Sequence, residues 1–140
     1  MRFELPTDKK LTWQARLPMG WGDMDAMGHV NNGVYFRYLE TVRTDWMRSV
    51  GVTLKPTGEG PVVVNVFCSF LKQLAYPGEL LAKHYVANIG TSSFEALVTL
   101  ERSDEPGVIS AWGGATTVWF DYREQRTLPI PNWLRAEMIP

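Results

Sequence analysis

The sequence predicts an α+β fold of two layers, with five antiparallel strands and one long helix. Two observations carry that expectation. Only the segment from Tyr35 to Val50 has a helical period, whereas five segments are patterned as strands. The last four of those strands follow one another, three of the connections being short turns, which implies antiparallel pairing. A single helix covers one face of such a sheet, which gives two layers. The length of 140 residues suits one domain with one core, so residues 1–140 are read as one domain.

The first strand is expected at Leu11 to Met19. Leu11, Trp13, Ala15, Leu17 and Met19 alternate with Thr12, Gln14, Arg16 and Pro18, the pattern of one buried face. The helix follows. Tyr35, Tyr38, Leu39, Val42, Trp46 and Val50 fall on one side of a 3.6-residue period, and Arg37, Glu40, Thr41, Thr44 and Arg48 on the other. Asn31 or Asn32 suits the N-cap and Gly51 the C′ position. Thr53 to Pro61 is a loop. Val62 to Leu71 is apolar on both sides and is expected to be buried on both faces. Leu80 to Ile89, the alternating run from Phe94 to Glu101, and Val108 to Asp121 complete the strands, separated by turns at Tyr76–Glu79, Gly90–Ser93 and Ser103–Gly107. The pair Gly113-Gly114 inside the last strand marks a bend or a close approach to the backbone. The tail after Tyr122 contains three prolines and reads as irregular.

Composition removes several classes. Charged residues are 21% of the chain and the net charge is −1, so there is no basic field for nucleic acid. No apolar run approaches the ~18 residues of a membrane span, and the first ten residues lack the apolar core of a signal peptide. The single cysteine, Cys68, fits a reducing compartment, so a cytoplasmic protein is expected.

Between the first strand and the helix lies Trp21-Gly22-Asp23-Met24-Asp25-Ala26-Met27-Gly28-His29-Val30-Asn31-Asn32. Two carboxylates, an imidazole and two amides share this short segment. Polar side chains on a loop between rigid elements often carry chemistry, although Asp and Asn also favour plain turns. A calcium loop fails, because Met27 and Val34 occupy positions that need oxygen ligands. Zinc fails as well: His29, His84 and Cys68 show no ligand spacing. No metal or cofactor is expected. A helix start offers free N–H groups and a partial positive charge, which together polarise a carbonyl. A carboxylate just upstream can serve as base or nucleophile. That combination suits acyl transfer to water.

The run Trp21 to Glu40, with Gly22-Asp23-Met24-Asp25 and Gly28-His29-Val30-Asn31-Asn32 within it, closely resembles the signature of hotdog-fold acyl-CoA thioesterases of the 4-hydroxybenzoyl-CoA thioesterase-like group. Gly28 to Asn32 is also similar to plant acyl-ACP thioesterases. The likeness continues at Tyr76-Pro77-Gly78-Glu79-Leu80, at Gly90-Thr91-Ser92-Ser93-Phe94 and at Pro129-Ile130-Pro131. It implies a five-stranded antiparallel sheet wrapped around one long helix and hydrolysis of an acyl-CoA to free acid and CoA. It implies Asp25 as the catalytic carboxylate, with Asp23 a structural neighbour. By the acyl-ACP branch, His29 and Asn31 are catalytic candidates. Asn32, Gly33 and Tyr35 at the helix start are substrate-binding candidates, as are Ser92 and Ser93 near the pantetheine or phosphate end of CoA. It implies a homodimer or homotetramer with the site at the subunit interface. The alternatives are an acyl-ACP thioesterase and a non-catalytic acyl-CoA-binding module. A hotdog dehydratase is disfavoured because its Asp-x-Asn-x-x-His pattern is absent. Cys68 and His84 are read as structural, and Lys72, Lys83, Arg102 and Arg123 as solvated residues in reach of phosphate.

Overall fold

The structure, a computed structural model, describes residues 4–139. In chain order its elements are β1 (Lys10–Pro18), a single 3-10 turn (Trp21–Asp23), α1 (Asn32–Ser49), β2 (Glu59–Phe70), β3 (Glu79–Ala87), β4 (Ser93–Arg102), β5 (Ala111–Asp121), β6 (Arg126–Thr127) and α2 (Asn132–Met138). All pairings are antiparallel and the sheet order is β1-β3-β4-β5-β2, with β6 on the end of β5. The sheet wraps around α1, the hotdog arrangement. It has six strands rather than five, the sixth being a two-residue pairing in the tail.

α1 forms where the 3.6-residue period placed it. Tyr35, Tyr38, Leu39, Val42, Trp46 and Met47 are buried against the sheet. Gly51 follows the helix at φ +95°, a conformation that glycine adopts without steric strain. In β5 the glycine pair lets neighbours come close. A Cβ on Gly113 would lie 2.5 Å from Leu39 Cδ1 and 2.5 Å from the Phe67 carbonyl oxygen. On the opposite face, a Cβ on Gly114 would meet the Phe67 ring at 2.6 Å.

Three expectations are corrected. The alternation of β1 slips at Thr12, because Leu11 pairs with Tyr85 while Trp13 pairs with His84. This bulge leaves Leu11 exposed and turns Thr12 inward, where Thr12 Oγ1 and His84 Nδ1 share a hydrogen bond of 2.7 Å. The His84 ring is fully buried and stacks on Trp46 at 4.7 Å. Second, β2 is not buried on both faces. It is the last strand of the sheet, paired with β5 alone, and Val64 and Val66 are 59% and 48% exposed. Third, the tail is not irregular throughout: α2 buries Leu134 and Met138 beside Trp46 and Trp119 in the core. Its two apolar anchors, four residues apart, sit on one helical face that the flanking prolines obscured. No helix among the described residues is long and apolar enough to cross a membrane.

Candidate active site

The segment between β1 and α1 is fastened from both sides. Met19 N–H donates to the Gly78 carbonyl (3.0 Å) and Val30 N–H to the Leu74 carbonyl (2.8 Å). Met24 and Val30 form an isolated antiparallel bridge. Beyond it the chain closes a tight turn: Asp25 N–H donates to the His29 carbonyl (2.7 Å) and Gly28 N–H to the Asp25 carbonyl (3.1 Å). Gly28 takes φ +77°, which most residues tolerate poorly.

The Asp25 side chain completes this turn. Its Oδ1 accepts from Met27 N–H (2.9 Å) and His29 N–H (3.2 Å), a local bonding pattern that suits aspartate. Oδ2 has no hydrogen-bond partner among the described residues, and Asp25 is exposed. One oxygen therefore fixes the carboxylate and the other is open.

At the start of α1, Asn31 is the N-cap. Its side-chain oxygen accepts from Gly33 N–H (2.9 Å) and its carbonyl from Val34 N–H (2.9 Å). These bonds satisfy two of the orphan amides of the first turn. Asn32 N–H has no acceptor among the described residues. It is the open donor at the positive end of the helix dipole.

Asp23 anchors the whole arrangement. Its carboxylate accepts from the Tyr38 hydroxyl (2.7 Å) and Gly20 N–H (3.1 Å) and pairs with the Arg37 guanidinium. The Tyr38 hydrogen bond, with the Arg37 and Gly20 contacts, holds this carboxyl below its ordinary range against the opposing effect of burial.

Asp25, His29, Asn32 and Tyr35 line a cleft of about 330 Å³. The end of β2 and the chain that leaves it, Phe70 to Gln73, form a further wall of it. Leu71 N–H and Lys72 N–H both donate to the Ser110 carbonyl (2.9 Å each), which pins that wall. The Tyr35 and Phe70 rings meet edge to face at 4.8 Å. Burial, and then the neighbouring Cys68 and Asp25, pushes the Tyr35 phenol upward, so it stays neutral. Burial pushes the Cys68 thiol up to about 12, which suits a core residue rather than a thiolate nucleophile.

The structure thus brings Asp25, His29, Asn32 and Tyr35 together. The Asn31 side chain and the Gly33 N–H are engaged with each other in the cap. His29 lines the cleft, and its backbone binds Asp25 at both N–H and carbonyl. Ser92 and Ser93 are not brought to this cleft within one chain. Ser110, which holds the cleft wall, bonds Leu100, seven residues along β4 from Ser93 and roughly 23 Å away at about 3.3 Å per residue. Sequence reasoning missed Met27 and the wall from Phe70 to Gln73; Lys72, read as solvated, pairs with Glu105 there. It also missed the donors on Asp23 from α1. The signal for these was present: Arg37 and Tyr38 follow Asp23 by 14 and 15 residues at the start of the helix. Among the described residues, no three His, Cys, Asp or Glu side chains cluster as metal ligands would.

The model of the thioesterase-like superfamily matches residues 19–138. Among solved structures, the PA2801 protein of Pseudomonas aeruginosa, a candidate thioesterase, is similar with a TM-score of 0.85 and 36% identity, over 91% of this chain and 98% of that one. A candidate acyl-CoA thioesterase from Xanthomonas campestris is similar with a TM-score of 0.71 and 32% identity, over 79% and 93% of the two chains. The chloroplastic acyl-acyl carrier protein thioesterase ATL3 of Arabidopsis thaliana is 27% identical over 124 residues, 84% of this chain. The chain spans 62% of the length of that curated relative.

Proposed function

The chain belongs to the thioesterase-like superfamily, and from that premise we propose that it is a thioester hydrolase that cleaves an acyl-CoA into free acid and CoA with Asp25 as the reacting carboxylate. One observation carries the reading: Asp25, whose Oδ2 is unpartnered among the described residues, and Asn32, whose N–H is likewise open, line the same cleft. A thioester carbonyl that accepts from Asn32 N–H is polarised by the helix start, and its carbon then faces the carboxylate. As base, Asp25 takes a proton from water while the water oxygen adds to that carbon. The oxyanion rests on Asn32 N–H, the C–S bond breaks, and the sulfur leaves with the proton. As nucleophile, Oδ2 itself adds, CoA leaves, and water opens the acyl-aspartyl anhydride. Single turnover in ¹⁸O water tests the anhydride route: label in Asp25 requires an anhydride opened by water at its aspartyl carbon, whereas the base route places label in the product acid alone. His29 stands in the same cleft as a proton carrier.

Acyl-ACP is the second reading. The likeness to the Arabidopsis acyl-acyl carrier protein thioesterase supports it. A panel of acyl-CoA and acyl-ACP thioesters, followed by free-thiol release, tests both. Turnover of acyl-CoA is expected, and no thiol release from any member above the buffer rate refutes the proposal.

We also propose that the working unit is a dimer or tetramer of this chain in the cytoplasm. What supports it is the exposed β2 edge, whose Val64, Val66 and following Leu71 (61% exposed) run directly into the cleft wall. Soluble proteins cover long apolar edges of this kind.

A further inference from the structure

We propose that Tyr38 is a positioning residue of this site: its buried hydroxyl, acting through Asp23, sets how the Asp25 carboxylate stands relative to the Asn32 N–H. The inference rests on the catalytic reading above and extends it to a residue that does not line the cleft.

The turn from Asp25 to His29 is bonded mainly to itself, so it moves as one body. Its orientation is decided at its base, where Met24 and Val30 form their bridge and where Asp23 lies. Asp23 is bonded to three separate parts of the molecule. Its carboxylate accepts from Gly20 at the entry to the loop and from Tyr38 in the second turn of α1, and its carbonyl accepts from Asn31 N–H (2.9 Å), the cap of that helix. The two catalytic groups sit on either side of this node, Asp25 two residues after Asp23 and Asn32 one residue after Asn31. A shift of Asp23 moves one group against the other.

Tyr38 is the donor that gives the node its rigidity. Its ring is 5% exposed and packs in the core with Met19, Leu39 and Leu80, so the hydroxyl has a fixed origin. Arg37 reaches the same carboxylate, but its side chain is 61% exposed and the pair is screened by solvent. Burial, then the adjacent Asp23, pushes the Tyr38 phenol upward, so it remains a neutral donor across the working pH range. Core packing by itself would be met by phenylalanine; the oxygen is what meets Asp23.

The test is Tyr38→Phe in the assembled enzyme, measured on the best substrate of the thioester panel beside Asp23→Ala, Asp23→Asn, the Tyr38→Phe/Asp23→Ala double variant and Asp25→Asn. Misplacement of reacting groups lowers kcat by about 10- to 100-fold, with KM and thermal midpoint near wild type. The double variant should lose no more than Asp23→Ala alone, because both changes remove one bond. Asp23→Asn keeps an oxygen for Tyr38 and should retain more activity than Asp23→Ala. A wild-type kcat for Tyr38→Phe overturns the inference, and so does a fall in kcat matched by a fall in thermal midpoint. If Tyr38→Phe does not fold, the contrast between Asp23→Asn and Asp23→Ala decides: equal activities overturn it. If Asp25→Asn is inactive while Tyr38→Phe is normal, positioning alone falls; if Asp25→Asn is fully active, the catalytic reading falls first.

Discussion

Under the proposed mechanism the two Asp25 carboxylate oxygens have different duties, so Asp25→Asn separates chemistry from structure. The amide oxygen of an asparagine can keep both bonds made by Oδ1, to Met27 N–H (2.9 Å) and His29 N–H (3.2 Å). The amide nitrogen then replaces Oδ2, which has no hydrogen-bond partner among the described residues, so none is lost. The structural penalty is limited to two bonds that pass from a charged to a neutral acceptor, at most about 1–2 kcal/mol in total at an exposed site. The catalytic penalty is larger. An amide neither takes a proton from water nor attacks a thioester, and loss of a general base costs about 100- to 10,000-fold, or ~3–5 kcal/mol of transition-state stabilisation. The expected protein is folded and assembled, binds CoA as the wild type does, and releases thiol at least about 100-fold more slowly. Thiol release under saturating substrate, calorimetric CoA binding and light scattering measure the three properties. Near-normal turnover would refute the reasoning and move the assignment to another cleft group able to carry a proton, His29 first.

Three further outcomes are expected. Gly113→Ala places a Cβ 2.5 Å from Leu39 Cδ1 and from a backbone oxygen, so it should lose about 1–3 kcal/mol in urea melts; an unchanged midpoint would show that α1 is free to move away from β5. Burial first, then the Arg43 charge, lowers His84 to about 3 from its ordinary 6.5. For a base held neutral in the fold, the stabilisation is complete above pH 6.5 and drains as pH falls toward 3, by up to about 1.4 kcal/mol per unit. His84→Gln should therefore flatten stability against pH between 6.5 and 4.5, and a slope equal to the wild type would contradict this. Charging the β2 edge with Val64→Lys and Val66→Lys should halve the mass seen by light scattering and lower activity together; an unaltered mass would place the interface elsewhere.

What the sequence determined by itself is what local periodicity and local bonding control. The period of α1, the Asn31 cap and the polar turn around Asp25 depend on residues within a few positions of one another, so their patterns survive in one dimension. The antiparallel two-layer plan also followed, since short turns leave consecutive strands little choice of partner. The tertiary structure alone decided what depends on distant segments. The apolar run of β2 looked doubly buried because valines facing a core and valines on an open edge have the same spacing; sheet order makes β2 the last strand. The Thr12 bulge follows from pairing with β3, 72 residues away, where a buried imidazole needs a partner. Ser92 and Ser93 share the family pattern with Asp25 yet lie at the far end of β4, because strand direction separates what motif order places side by side. Phe70 to Gln73 reach the cleft through packing of elements that are remote in the chain. Local order is written in spacing, whereas a site assembled across elements depends on long-range pairing and burial that no single stretch of residues encodes.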